Sequence, residues 1–121
     1  MGLARELTER LREAWNRHDI QAFLDCFHPD YASDQPLSPE RSFRGREHVQ
    51  ERWTRNFAEM PDFRAELLGW AEGDVLWTEW RWRGTRPDGT RFDQQGVIIY
   101  GLREDRIATG RLYMGPLPGV G

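Results

Sequence analysis

The spacing of the apolar residues changes at Pro61, and this change constrains the fold more than any other feature of the sequence. Before Pro61, apolar side chains recur at helical intervals in three segments, 3–15, 20–27 and 49–60. Such spacing is typical of amphipathic helices, each with one face turned to a core. Asp19 is a favourable N-cap for the second of them. The first half of the chain is therefore predicted to be mainly helical.

After Pro61 the pattern becomes that of β-strands. Short polar joints separate the strands and favour antiparallel hairpins over parallel crossovers. The predicted strands, rich in Trp, Val, Ile, Phe and Tyr, lie near residues 63–72, 74–84, 91–102 and 105–114. Helices followed by such strands indicate an α+β fold, in which three N-terminal helices pack in the concave face of a curved, mostly antiparallel sheet.

The organisation along the chain is that of one domain. A length of 121 residues supports one compact core without disulfides or a structural metal. Pro29 is expected to end the second helix, and the proline-rich segment 28–45 predicts a loop with a short strand near residues 31–34. We assign residues 1–115 to the domain and expect residues 116–121 to form a loose tail.

The charged residues exclude several kinds of chemistry. All seventeen basic residues are arginine. The absence of lysine removes the amine of Schiff-base enzymes and the lysine of a phosphate-binding loop. A net charge of −3 argues against a nucleic acid or an anionic membrane as the partner.

Thiol, metal and targeting signals are also sparse. Cys26 is the only cysteine, which excludes an intrachain disulfide, a CxxC redox pair and a cysteine-based zinc site. His18, His28 and His48 lack the spacing of metal ligands, and we expect neither a metal nor a cofactor. The sequence shows no signal peptide and no membrane-spanning run, so we expect a cytoplasmic protein.

Aromatic residues are abundant, with six Trp, six Phe and three Tyr. Rings of this size are rigid, and they rarely pack between helices and a curved sheet without leaving a cavity. We therefore expect a pocket for a small apolar or aromatic molecule. The alternative is that the same rings form the core. The candidate ligand-binding residues are Trp15, Phe27, Trp53, Phe57, Trp80, Trp82 and Gln95.

Four residues are candidates for acid–base chemistry. Asp34, near Tyr31 in the segment that would close the pocket, is the candidate general base. Arg111 and Tyr113 share strand parity with Ile107; if Ile107 points inward, they do too and would stabilise a substrate oxyanion. The alternatives are a turn role for Asp34 and an internal ion pair for Arg111.

The strands carry further residues whose partners remain open. Asp93 and Gln95 share one strand face and are candidates for the partner of Arg111 or for a second catalytic acid; the alternative is that they face solvent or a dimer partner. Trp77 lies on the strand face opposite Trp80. Because an exposed tryptophan face is costly, we expect a homodimer formed through the outer face of the sheet.

Several short motifs, taken in order, resemble a known family. They are the segments 15–19 (WNRHD), 27–31 (FHPDY), 43–49 (FRGREHV), 61–63 (PDF) and 80–85 (WRWRGT), followed by Asp88-Gly89 and Arg106-Ile107. With them the chain resembles, over nearly its whole length, the SnoaL-like branch of the nuclear transport factor 2-like fold. The resemblance implies a cone of three helices and a curved sheet.

The family resemblance implies a pocket but does not choose a reaction. In the family's cyclases an acid stands near the end of the last strand, where this chain has Gly115, which puts cyclase activity of that kind in doubt. In its ketosteroid isomerases the base is an aspartate before a proline, which Asp34-Gln35-Pro36 matches only with a shift of two residues. The leading hypothesis is a cofactor-free isomerase, dehydratase or epoxide hydrolase acting on a small apolar substrate. The alternative is a non-catalytic, dimeric ligand-binding module.

Overall fold

The computed structural model describes residues 2–116 and contains both helices and strands, which confirms the α+β class. The helices are α1 (Leu3–Arg17), α2 (Ile20–Asp25) and α3 (Arg46–Glu59), with a 3-10 turn at Pro39–Arg41. The strands are β1 (Phe27–Asp34), β2 (Phe43–Arg44), β3 (Arg64–Glu72), β4 (Leu76–Thr85), β5 (Arg91–Arg103) and β6 (Arg106–Pro116). No helix among residues 2–116 is long and apolar enough to cross a membrane, and the cytoplasmic location stays a prediction.

The first half contains more strand than predicted. α2 ends at Asp25, and Pro29 lies inside β1, not at the end of a helix. Pro29 is tolerated there because the pairing of β1 with β6 is irregular between Phe27 and Ala32, so the missing N–H breaks no regular ladder. β1 and β2 separate α2 from α3, and the helices do not form one N-terminal run. Of the predicted tail, Pro116 belongs to β6 and the rest lies outside the described residues.

One curved, six-stranded sheet has the order β2-β1-β6-β5-β4-β3. Neighbouring strands are antiparallel except β1 and β6, which run parallel. Trp15 of α1 and Trp53 of α3 pack edge-on against the Trp82 ring of β4, with centroids 5.5 Å and 5.3 Å away. We call the sheet face that the helices cover the inner face, and the opposite one the outer face.

The junction of α1 and α2, where the WNRHD motif lies, fixes the helices to the sheet. The Asn16 side-chain amide donates to the Ala65 carbonyl at 3.0 Å and its oxygen accepts the Ala65 N–H at 2.7 Å. These two bonds satisfy backbone groups on β3, an edge strand. Asp19 caps α2 by accepting the Ala22 N–H at 3.1 Å, as predicted. This motif therefore has a structural role.

The alternation of β6 is interrupted by a bulge at Ala108. Ile107 pairs with Leu102 of β5, whereas Thr109 pairs with Gly101, so Ala108 is an extra residue in β6. An extra residue reverses which side chains face inward beyond it.

The bulge decides where the end of β6 points its side chains. Ile107 is fully buried, but beyond the bulge Leu112 and Met114 are the residues that face inward and line a cleft. Arg111 and Tyr113 consequently lie on the outer face. The prediction that they share the face of Ile107 is wrong, because strict alternation over residues 107–113 does not hold.

Candidate functional site

A cleft of about 440 Å³ opens between α3, the loop 35–42 and the inner face of the sheet. Its volume lies in the range of small-molecule sites. The strands contribute Trp82, Phe92, Gln94, Leu112 and Met114; α3 contributes Arg52, Arg55 and Asn56; the loop contributes Gln35, Leu37, Ser38 and Arg41. One wall is thus largely apolar and the other largely basic.

Toward the core the cleft narrows into an inner chamber of about 40 Å³. Four residues line both spaces and form the neck between them: Gln35, Arg52, Trp82 and Leu112. The remaining lining residues of the chamber are Trp15, Phe23, Phe27, Tyr31, Ser33, Phe43, Val49, Trp53, Ile98 and Tyr100. The chamber has room for a few water molecules or for one small group of a ligand held in the cleft.

Four of the predicted ligand-binding residues line the inner chamber, namely Trp15, Phe27, Trp53 and Trp82. Two others belong to the core. Trp80 is fully buried and donates its indole N–H to the Thr78 hydroxyl at 2.8 Å. Phe57 stacks on the His18 ring with the centroids 4.6 Å apart. These two rings therefore form part of the core and do not line the cleft or the inner chamber.

Gln95, a predicted ligand-binding residue, lies on the outer face, and its neighbour Gln94 lines the cleft instead. Gln94 pairs with Trp82 and lines the cleft, whereas Gln95 pairs with Arg81. Asp93 also points outward, where Arg81 donates two hydrogen bonds to its carboxylate at 3.1 Å and 2.9 Å. Arg81, and not Arg111, is therefore the hydrogen-bond partner of Asp93, and Arg91 Nε lies 3.9 Å from the same carboxylate.

Of the four candidate catalytic residues, only Tyr31 lies at the inner chamber. Asp34 is on the outer face, with its carboxylate oxygen 3.8 Å from Arg111 Nε. Arg111 also donates a hydrogen bond to the Tyr113 hydroxyl at 2.9 Å. The structure thus brings Asp34, Arg111 and Tyr113 together, but away from the cleft. Their catalytic role stays a prediction.

The cleft and the chamber are poor in groups that could abstract a proton. Among the described residues that line them, none carries a carboxylate, an imidazole or a thiol. Burial raises the pKa of Tyr31 to about 12 and the pKa of Tyr100 well above its ordinary value. Both phenols are therefore protonated at neutral pH, and Tyr31 can donate a hydrogen bond but cannot act as a base. No group of three or more His, Cys, Asp or Glu side chains within residues 2–116 is placed to hold a metal ion.

Two buried indole N–H groups have no acceptor among the described residues. They belong to Trp15, at the inner chamber, and to Trp82, at the neck. A buried donor without a partner costs about 1–3 kcal/mol, and an oxygen atom placed beside it recovers that cost. The neck therefore favours a ligand that carries a hydrogen-bond acceptor.

Arg52 is the charged residue at the neck, and sequence reasoning missed it. Its guanidinium lies 5.1 Å from the centroid of the Phe43 ring. Burial is the main cause that lowers its pKa, and the like charges of Arg41 and Arg55 lower it further. The signal was present in the sequence, because Arg52 stands three residues after Val49 and so on the buried side of α3.

A model of the SnoaL-like domain matches residues 8–109. No curated protein matches the chain at a significant level. A hypothetical protein with a ketosteroid isomerase-like fold from Catenulispora acidiphila, solved in complex with trimethylamine, has a TM-score of 0.78 and 19% identity over 95% of this chain and 88% of that chain.

Two further solved structures show the same fold. AclR from Streptomyces galilaeus, a proposed hydroxylase, has a TM-score of 0.80 and 17% identity over 98% of this chain and 82% of that chain. IdmH from Streptomyces antibioticus, a proposed polyketide cyclase, has a TM-score of 0.76 and 23% identity over 92% and 91% of the respective chains. At such identities the likeness shows the fold alone.

Proposed function

The chain belongs to the SnoaL-like domain family, and from this premise we propose that it binds a small apolar or aromatic molecule in the cleft without turning it over. The observation that carries the proposal is the lining of the site. Its apolar wall and its hydrogen-bond donors suit binding, whereas the described residues that line it offer no carboxylate, imidazole or thiol for proton transfer.

The second candidate is a cofactor-free isomerase, dehydratase or hydrolase. Its support is the protonated Tyr31 phenol at the inner chamber, which is suited to polarise a carbonyl or hydroxyl oxygen. Solved proteins with a similar fold include a proposed hydroxylase and a proposed cyclase. This candidate needs a base, and Asp34 on the outer face cannot reach a ligand in the cleft from its present position.

Calorimetric titration with 2-naphthamide, a flat and neutral probe, tests the binding proposal. We expect saturable binding with equimolar stoichiometry. Met114→Trp fills the cleft and is expected to abolish binding, whereas Tyr113→Trp, on the outer face, serves as the matched control and keeps it. Equal binding by Met114→Trp contradicts the proposal, as does absence of binding by the wild-type protein of both 2-naphthamide and its carboxylate analogue 2-naphthoate.

We propose that the assembly is a homodimer formed through the outer face. Trp77, on this face, is 49% exposed. Trp77 pairs across the sheet with Ile99 of β5, and Ile99 pairs with Arg111 of β6. Val97 and Tyr113, two residues further along these strands, form the neighbouring pair on the same face. An aromatic and aliphatic centre with charged residues at its border is typical of a protein interface.

Sedimentation equilibrium of the wild-type protein and of Trp77→Glu tests the dimer. We expect the substitution to yield monomers, because it places a charge at the centre of the interface. Trp70→Glu is the matched control. Trp70 is 43% exposed, but it pairs with the inward-facing Thr78 and so lies on the inner face of the sheet. A monomeric wild-type protein, or a dimeric Trp77→Glu variant, contradicts the assignment.

A further inference from the structure

The basic wall of the cleft carries positive charge that the protein itself does not balance. Arg41, Arg52 and Arg55 all line this wall. Among the described residues, none of these guanidinium groups forms an ion pair, although other arginines such as Arg81 and Arg103 do. Like charges gathered at one concave site attract a ligand of the opposite charge.

Arg52 is the member of this wall that is held in place. It is half-buried, and its guanidinium packs over the Phe43 ring at 5.1 Å. None of the guanidinium N–H groups of Arg52 has a hydrogen-bond acceptor among the described residues, so they are available to a ligand. Burial and the neighbouring arginines disfavour the charged form of Arg52, and a bound anion would offset that cost.

The opposite wall requires that the same ligand be apolar over most of its surface. Phe92, Leu112 and Met114 face the basic wall across the cleft. At the neck, the unpaired indole N–H of Trp82 adds a second donor near Arg52. A cation would be repelled by the arginines, and an inorganic anion would leave the apolar wall uncovered.

We propose that the ligand is an amphipathic organic anion, a flat apolar skeleton that carries a carboxylate, and that Arg52 at the neck binds the carboxylate. The planar fork of a guanidinium matches the two oxygens of a carboxylate, so Arg52 supplies both charge and direction. Arg41 and Arg55, nearer the solvent, add long-range attraction. This inference rests on the proposed binding function and names the ligand class for it.

Paired titrations with 2-naphthoate and 2-naphthamide test the inference, since the two probes share one skeleton and differ in charge. We expect 2-naphthoate to bind wild-type protein at least about tenfold more tightly than 2-naphthamide at low ionic strength. The preference is expected to fall as salt is added, because the outer arginines are solvated. Arg52→Gln is expected to remove most of the preference, mainly by weakening 2-naphthoate, and to leave only the salt-sensitive part that Arg41 and Arg55 supply. Arg106→Gln, an exposed arginine outside the cleft, keeps the wild-type ratio.

The outcomes separate the inference from the function on which it rests. Equal affinity for the two probes overturns the inference and leaves the proposed function standing. Absence of binding by both probes overturns the proposed function and the inference with it. A wild-type preference that survives in Arg52→Gln overturns the role of Arg52. If that variant does not fold, Arg52→Lys replaces it: retention of the charge without the fork is expected to lose most of the preference, and an unchanged preference overturns the role.

Discussion

Asp34 and Arg111 are direct partners across the parallel pair of β1 and β6, with Asp34 Oδ2 3.8 Å from Arg111 Nε. The two side chains are 62% and 56% exposed on the outer face. A solvated ion pair of this kind contributes at most about 1 kcal/mol to stability. We therefore predict that Asp34→Asn leaves the affinity for 2-naphthamide unchanged and lowers the free energy of unfolding by less than about 1 kcal/mol.

Calorimetry and urea unfolding of Asp34→Asn measure both quantities. Ser33→Leu is the matched comparison, because Ser33 precedes Asp34 in β1 but lines the inner chamber. It is expected to weaken binding by filling the chamber. A loss of binding in Asp34→Asn with unchanged stability would mean that Asp34 reaches the cleft, as the sequence suggested.

The bulge at Ala108 explains why the sequence located the strand but not its orientation. Periodicity identified β6 to within a few residues, because Ile107 and its apolar neighbours repeat as strands do. A single extra residue does not alter that pattern enough to be recognised, yet it reverses the face of every side chain after it. The inward assignment of Arg111 and Tyr113 failed for this reason alone.

The close approach of Gly110 to Tyr31 yields a second prediction. A Cβ atom at Gly110 would overlap the Tyr31 hydroxyl and would lie 3.2 Å and 3.3 Å from two ring carbons. Tyr31 is buried and cannot easily move away. We predict that Gly110→Ala lowers the free energy of unfolding by about 1–3 kcal/mol through overpacking.

A double-mutant cycle separates this clash from a general effect of alanine in a strand. In the Tyr31→Phe background the hydroxyl is absent, so Gly110→Ala is expected to cost less than in the wild-type background. Gly115→Ala, on the same strand with no atom within 4 Å of the added Cβ, is expected to be nearly neutral. Equal costs for Gly110→Ala in both backgrounds would contradict the proposed contact.

The aromatic core was predictable from the sequence, whereas the spacing located Arg52 only on the buried side of α3 and did not place it in a basic wall. Helical spacing brings Trp53 and Phe57 of α3 to the buried side, and both are buried. Arg52 shares much of that side, and a charged residue there is normally assigned to solvent. Its position at a neck depends on the loop 35–42 and on β6, whose geometry no local pattern specifies.

Arg52 is expected to lower the stability of the ligand-free protein. Its charge is half-buried beside two other cations, and burial is the first cause of its lowered pKa. Arg52→Met keeps an apolar stem against Phe43 and removes the charge. We predict a rise in melting temperature of about 2–4 °C at low salt, measured by calorimetry, together with weaker binding of 2-naphthoate.

Arg106→Met is the control for this stability prediction, because Arg106 is exposed at the first position of β6. Its melting temperature is expected to match that of the wild-type protein. A lower melting temperature for Arg52→Met would mean that the stacking on Phe43 outweighs the cost of the buried charge.

The Asp93 carboxylate makes stability depend on pH. Two hydrogen bonds from Arg81, at 3.1 Å and 2.9 Å, are the main cause that lowers its pKa below the ordinary 3.8. A group whose pKa is lower in the folded state binds fewer protons there, so its stabilising effect is complete above a pH of about 4 and is lost as the pH falls through the lowered pKa.

Asp93→Asn removes the charge at every pH. We therefore predict that Asp93→Asn melts below the wild-type protein at neutral pH and that the difference shrinks as the pH falls below about 4. Asp74→Asn, which removes an exposed carboxylate in the turn between β3 and β4, is the control and is expected to melt with the wild-type protein at neutral pH. A difference in melting temperature between Asp93→Asn and the wild-type protein that stays the same at every pH would contradict the role of this ion pair.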